Sequence, residues 1–309
     1  MSVRDLVSEF GGAGVLGVGR IAKAAEILSE MFSNEKFTNI LALAGPLVPG
    51  GLRRVIRDLV AGGFIHAIVS TGANITHDLI EAFGFKHMIG RARVDDGRLM
   101  EENIGRIYDI FIEGRAFEVL ERNLHILLDE LELTSEKRGN LATYELLYEL
   151  GTKLEDGESI LKTSAEKGVP IFCPGIYDSM LGMNLWTYAQ LKRLRLNPFL
   201  DFTKLVDLTY EAEKMGLIIL GGGMPKHYAL IANIMRGGVD LAVQITMDRP
   251  EPGGLSGAPL EESISWKKVN KRGKVASVIG DATILFPILV SAALPGSKVR
   301  KEVNIRKDE

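Results

Sequence analysis

Residues 217–227 read Leu-Ile-Ile-Leu-Gly-Gly-Gly-Met-Pro-Lys-His: a short apolar run, three glycines, then a proline where a helix would begin. So short and unbroken a run predicts a strand buried on both faces. Proline in a first helical turn presets the backbone for a helix. This strand, glycine turn and helix form a unit that recurs along the chain. Further apolar runs lie at 39–44, 65–70, 169–173, 241–245 and 275–279, with helical patterns at 21–32, 52–61, 228–235 and 282–293 between most of them. Such alternation predicts βαβ units and a mostly parallel sheet with helices on both faces. Residues 86–167 depart from it. They are charged, and Phe117, Leu120, Leu124, Leu128 and Leu131 make one apolar helical stripe, so a helical insertion is expected there. With no linker or repeat visible, one α/β domain over residues 1–309 is expected.

The 309 residues carry 37 Lys+Arg and 40 Asp+Glu, a formal net charge of -3. Without a basic excess to neutralise phosphates, nucleic acid is not an expected partner. The single cysteine, Cys173, excludes an intramolecular disulfide, and with only five scattered histidines it excludes cysteine-type zinc sites. A reducing, cytoplasmic location fits this usage. The N-terminus, Met1-Ser2-Val3-Arg4-Asp5, has an acid and no apolar h-region, and the longest apolar stretch, 282–295, falls short of the roughly 20 residues of a bilayer span. A soluble, untargeted protein with no membrane partner is expected. Its 34 glycines exceed the usual share of about 7% and point to many tight turns.

In an open parallel sheet, ligands bind beyond the carboxyl ends of the strands, here residues 44–46, 70–74, 174–178, 221–223, 246–248 and 280–282. The literal dinucleotide fingerprint, Gly12-Ala13-Gly14-Val15-Leu16-Gly17, fails its context. Residues 3–10 carry three charges instead of forming a strand, and 39–44 ends without an acid, so the segment reads as a flexible lead-in to a helix after Gly19. The Rossmann-like phosphate site is better sought at Gly221-Gly222-Gly223, where glycine amides and a helix N-terminus can hold a pyrophosphate or merely make a tight turn. His227 falls in the first turn of that helix, whose dipole disfavours imidazolium. It is either a neutral base or a solvated helix-start residue. Residues 253–258, Gly-Gly-Leu-Ser-Gly-Ala, feed a short helix on which Glu262 and Trp266, four apart, share a face suited to a polyamine: a carboxylate for an ammonium and an aromatic surface beside it. Lys268 follows Lys267. A neighbouring cation with partial burial lowers a lysine toward nucleophilic values, whereas a plain lysine pair at a helix end is a solvated terminus.

The segments Leu-Gly-Gly-Gly-Met-Pro-Lys-His (220–227), Gly-Gly-Leu-Ser-Gly-Ala (253–258), Ser-Trp-Lys-Lys (265–268) and Gly-Asp-Ala-Thr-Ile-Leu-Phe-Pro (280–287) resemble deoxyhypusine synthases, notably archaeal ones. The resemblance runs from about Gly12 to Ala293 and includes Gly19-Arg20, Gly51-Leu52-Arg53 and Asp78-Leu79-Ile80. It implies a homotetramer with active sites at dimer interfaces. It also implies NAD as cofactor, spermidine or a related polyamine as donor and the translation initiation factor 5A precursor as acceptor. Carried over by position, Lys268 would bear the imine intermediate, His227 would help deprotonate spermidine, and Glu262 and Trp266 would line the substrate pocket. NAD contacts would fall on Ala44, Gly45, Pro46, Leu47, Val48, Ser70, Thr71, Gly72, Asp178, Gly222, Met247, Asp248, Asp281 and Ala282. Departures from the family pattern are Met183 for an aspartate, Ile231 for an asparagine, Ala44-Gly45-Pro46 for a Thr-Ser-Asn run and His77 for a glutamate. Leu255 replaces an acid found in eukaryotic members, and an N-terminal extension is expected to be missing. These departures leave room for a relative that uses another diamine or a small amine acceptor, as in homospermidine formation, or for a non-catalytic NAD-binding subunit.

Overall fold

The computed structural model describes residues 1–294; the remainder of the expected domain, including Pro295 at the end of the long apolar stretch, lies outside the described residues. The strands are β1 (Phe37–Leu43), β2 (Ala67–Ser70), β3 (Met88–Ile89), β4 (Ile104–Ile107), β5 (Ile110–Glu113), β6 (Ile171–Phe172), β7 (Lys214–Leu220), β8 (Val239–Thr246) and β9 (Val269–Ile279). Six of them form one parallel sheet in the order β6-β2-β1-β7-β8-β9. Successive residues feed opposite faces, as a doubly covered sheet requires. Leu41, Leu43, Ile218, Leu220 and Val243 join one apolar layer with the helices Leu16–Ser33, Arg53–Ala61, Gly72–Ala82 and Ala282–Ala293. Ile40, Ala42, Leu217, Ile219 and Ala242 join the other, under Pro198–Glu211 and Gly223–Ala232. The expected α/β sheet with helices on both faces is what the chain forms.

The strand order reverses beside β1. From β1 the chain runs outward through β2 to β6, then returns to β7 on the other side of β1 and continues to β8 and β9. The carboxyl ends are in step, with Leu43 opposite both Ser70 and Leu220, and Thr246 opposite Ile279. A crevice therefore opens where the connections from β1 and β7 diverge, the place where such sheets bind ligands.

Two expectations need correction. Residues 86–167 are not only helical, because β3, β5 and β4 make a second, antiparallel sheet there. Its strands have two to four residues and a Tyr108-Asp109 turn without glycine, so neither period nor turn signal marks them. Nor is 12–17 a flexible lead-in. Helix Val3–Ala13 starts on a Ser2/Asp5 capping box, Gly14 reverses the chain at φ +66°, and a second helix begins at Leu16. Gly19 is needed for contact, since a Cβ there would lie 2.6 Å from the Gly14 backbone. Among the described residues no helix is long and apolar enough to cross a membrane.

Candidate active site

At the crevice, the Ala44 amide donates to the Leu220 carbonyl (2.9 Å) and the Gly221 amide to that of Ile245 (2.8 Å). Gly221 has φ +77°, and a Cβ on it would stand 2.7 Å from the Ala44 oxygen, so the close approach of the chain after β1 and after β7 requires glycine. An open cleft of about 920 Å³ lies at this approach. It is lined by Ala44, Gly45, Pro46 and Leu47 after β1, Gly222 after β7, Met247 and Asp248 after β8, and Asp281 and Ala282 after β9. Five other sequence-predicted residues are not part of its lining. Val48, Ser70 and Gly72 are buried, Thr71 caps the helix Gly72–Ala82, and Asp178 is exposed on the loop after β6. Sequence reading places Asn74 in the strand-end stretch 70–74 but gives it no role. Buried under the cleft, its Oδ1 accepts from the Leu47 and Val48 amides (3.2 Å each) and its Nδ2 donates to the Gly45 carbonyl (3.0 Å), which fixes the cleft wall. The alternation of apolar runs gives no hint of such a brace.

The three glycines are divided in purpose. A Cβ at Gly222 would lie 2.5 Å from the Ser256 Cα, and the Gly223 amide donates to Ser256 Oγ (2.9 Å). The Gly221 and Gly223 amides are thus spent on protein, and the turn offers a ligand chiefly the Gly222 amide and the helix N-terminus. Lys226, 1% exposed, locks the loop 253–258 against this turn. Its Nζ donates to Gln244 Oε1 (2.9 Å) and to the carbonyls of Leu255 (2.9 Å) and Ala258 (2.6 Å), while Gln244 Nε2 donates to the carbonyls of Gly221 and Ser256. Burial lowers the Lys226 pKa from 10.5 to about 8, with Lys268 also lowering it and Glu262 and Asp248 opposing. Between those two values the unfolded chain holds a proton that the folded chain has released. The Lys226 contribution to stability is therefore flat below pH 8 and rises from there to pH 10.5. Denaturant titrations across that range should show the rise in wild type, and its loss in Lys226→Met.

The second centre grows from the short helix Glu262–Ser265, which ends in a Schellman motif. Lys267, at φ +58°, donates its amide to the Ile264 carbonyl and Lys268 donates to that of Ser263, both at 3.0 Å. The Lys268 carbonyl then accepts from Val239 at the start of β8, so the strand pairing fixes this lysine. Its ammonium stands 5.5 Å from the centre of the Trp266 ring, a cation-π contact. Trp266 caps the helix and so continues it by only one residue past Ser265; it is 64% exposed, and Glu262 is exposed too. His227 is half-buried on the helix Gly223–Ala232. Burial lowers its pKa first and the Lys268 charge second, which keeps the imidazole neutral at pH 7. The direction is the expected one, but the causes are burial and Lys268.

The sequence pattern of the deoxyhypusine synthase family matches residues 5–293. The chain belongs to the deoxyhypusine synthase family. It is 46% identical over 294 residues to the "Probable deoxyhypusine synthase" of Methanothermobacter thermautotrophicus, covering 95% of this chain and 94% of that protein. With the "Probable deoxyhypusine synthase 1" of Archaeoglobus fulgidus it shares 40% identity over the same shares of the two chains. The solved Entamoeba histolytica structure described as a "putative deoxyhypusine synthase" shares the fold, with a TM-score of 0.71 at 20% identity over 97% of this chain and 96% of the other. Like other deoxyhypusine synthases, the protein is a transferase.

Several deoxyhypusine synthase motifs in this chain turn out to hold structure. Arg53 of Gly51-Leu52-Arg53 pairs with Asp78 (2.6 Å) and Asp156 (2.8 Å) in the interior. Asp78, of Asp78-Leu79-Ile80, also accepts from Ser159 Oγ and from the Ile160 and Leu161 amides. His77, one of the departures, forms a hydrogen-bonded row with His87 (2.9 Å) and, through His87, with Glu81 (2.7 Å). Burial and His87 lower its pKa to about 4, so it is neutral at pH 7. Met183 is 51% exposed on the helix Met180–Leu191, Leu255 is exposed, and Ile231 is half-buried on the helix that carries His227.

Proposed function

We propose that the chain is an NAD-dependent transferase that moves the aminobutyl group of spermidine to a lysine of the translation initiation factor 5A precursor, through an imine on Lys268. The observation that carries this reading is twofold: Lys268 lies close enough to His227 for its charge to help hold the imidazole pKa down, and the helix that bears His227 starts at a glycine-walled cleft of about 920 Å³, a volume suited to a dinucleotide. The lining fits NAD. The Gly222 amide and the N-termini of helices Gly223–Ala232 and Ala282–Ala293 would face the pyrophosphate, and Asp248 and Asp281 could accept from ribose hydroxyls. Asp281 already caps its helix through Oδ1, which leaves Oδ2 for a ligand. When bound, NAD takes a hydride from the carbon beside the secondary amine and later returns it.

His227 accepts the proton released as that amine becomes an imine. Lys268, as the neutral amine, attacks the imine carbon, displaces 1,3-diaminopropane and holds the aminobutyl group as its own imine. The acceptor lysine then displaces Lys268, and reduction leaves a stable secondary amine. Trp266 offers a cation-π face to an ammonium and Glu262 a carboxylate. The exposure of Trp266 and Met183 supports a site completed by a neighbouring copy in a homotetramer, and the single, free Cys173 fits work in a reducing cytoplasm.

The test incubates the protein with NAD and labelled spermidine, with and without the precursor. Label should enter the precursor only when NAD is present, without net NADH. One-for-one NADH accumulation with acceptor present would defeat the proposal. The apolar Met183 and Ile231 favour a second reading, a donor lacking one charge, since an ammonium facing them has no carboxylate. Met183→Asp should therefore raise spermidine kcat/KM several-fold, and Glu262→Ala should nearly abolish turnover. Micromolar use of spermidine that Met183→Asp does not improve would remove the second reading.

A further inference from the structure

One part of the cleft lining comes from the antiparallel insertion: Tyr108 and Asp109 share it with Pro46, Gly51, Gly222 and Asp281. Pairing of Ile107 with Ile110 makes these two residues the turn between β4 and β5. Tyr108 has φ +55°, while Asp109 is not left-handed. A positive φ at the first turn residue alone is the position that glycine takes in hairpins, and a bulky side chain is strained there. The turn is nevertheless firmly held. The Tyr108 carbonyl accepts from Arg106 Nη1 (3.2 Å), Arg106 pairs with Asp96, and the Asp109 carbonyl accepts from the Gly90 amide (2.8 Å). Yet the ring is 70% exposed and its hydroxyl has no hydrogen bond among the described residues. Strain at a fixed turn, with a side chain that adds nothing to the core, points to a ligand.

We infer that Tyr108 is a stacking platform for the adenine ring of the dinucleotide, an inference that rests on the NAD reading above. The nicotinamide has to meet the reacting carbon near His227 and Lys268, neither of which lines the cleft, whereas Tyr108 does. The turn therefore faces the ring that does not react. Aromatic side chains stack on such bases through their π faces, without needing hydrogen bonds to base edges.

Calorimetric titration of NAD, ADP-ribose and nicotinamide mononucleotide into wild type, Tyr108→Gly, Tyr108→Asn and Tyr108→Phe tests this. Glycine and asparagine suit the left-handed backbone, so the thermal midpoint of both ligand-free variants should hold or rise. Both should lose roughly tenfold in affinity for NAD and ADP-ribose and none for nicotinamide mononucleotide, whereas Tyr108→Phe should bind as wild type. Unchanged NAD affinity in the glycine and asparagine variants overturns the inference and spares the dinucleotide reading. Loss confined to nicotinamide mononucleotide overturns it as well. A wild type that does not bind NAD defeats both.

Discussion

Lys268→Arg is expected to lower aminobutyl transfer at least about a thousandfold, the scale of losing a covalent nucleophile. Arginine keeps the positive charge and the stem, but its guanidinium stays protonated and cannot form an exchangeable imine. The backbone should not move, because the Schellman motif and the bond from Val239 to the Lys268 carbonyl involve main-chain atoms only. NAD binding should persist, since Lys268 is not part of the cleft lining. Borohydride reduction during turnover, followed by peptide mass spectrometry, checks the assignment: label belongs on Lys268 in wild type and is absent from the variant. Lys226 should remain unlabelled, because it is buried with all three of its ammonium hydrogens donated. Label on Lys226 or Lys267 would move the chemistry elsewhere.

Asp78→Ala is expected to give the largest loss of stability away from the reacting residues, about 3–5 kcal/mol, because it leaves the interior Arg53 charge without its nearest partner. The same change strips the acceptor from the Ile160 and Leu161 amides at the start of the helix Ile160–Glu166, so local order there should fall as well. Equilibrium denaturation gives the size of the loss, and hydrogen exchange at 160–161 gives its place. A loss under about 1 kcal/mol would mean that Asp156 and Glu81 take over the pairing with Arg53.

The sequence by itself determined the βαβ alternation, because strands buried on both faces read as near-continuous apolar runs, and turn residues separate them from the helices that follow. It also named the strand ends as the place to look for ligand chemistry, of which those after β1, β7, β8 and β9 line the cleft and 70–72 and 178 do not. The motif order carried the family and pointed to Lys268 and His227. Only the tertiary structure decided that β7 returns to the far side of β1, which makes Ala44 and Gly221 neighbours, since strand order leaves no trace in local periodicity. It likewise decided that Asn74 and Lys226 brace the site and that Arg53 and Asp78 hold the interior together. Polar residues look alike in a sequence whether they meet solvent, substrate or one another. The β4–β5 turn escaped notice for a related reason: strands of four residues are too short to show a period, and the strained Tyr108 occupies a place that a turn signal would have filled with glycine.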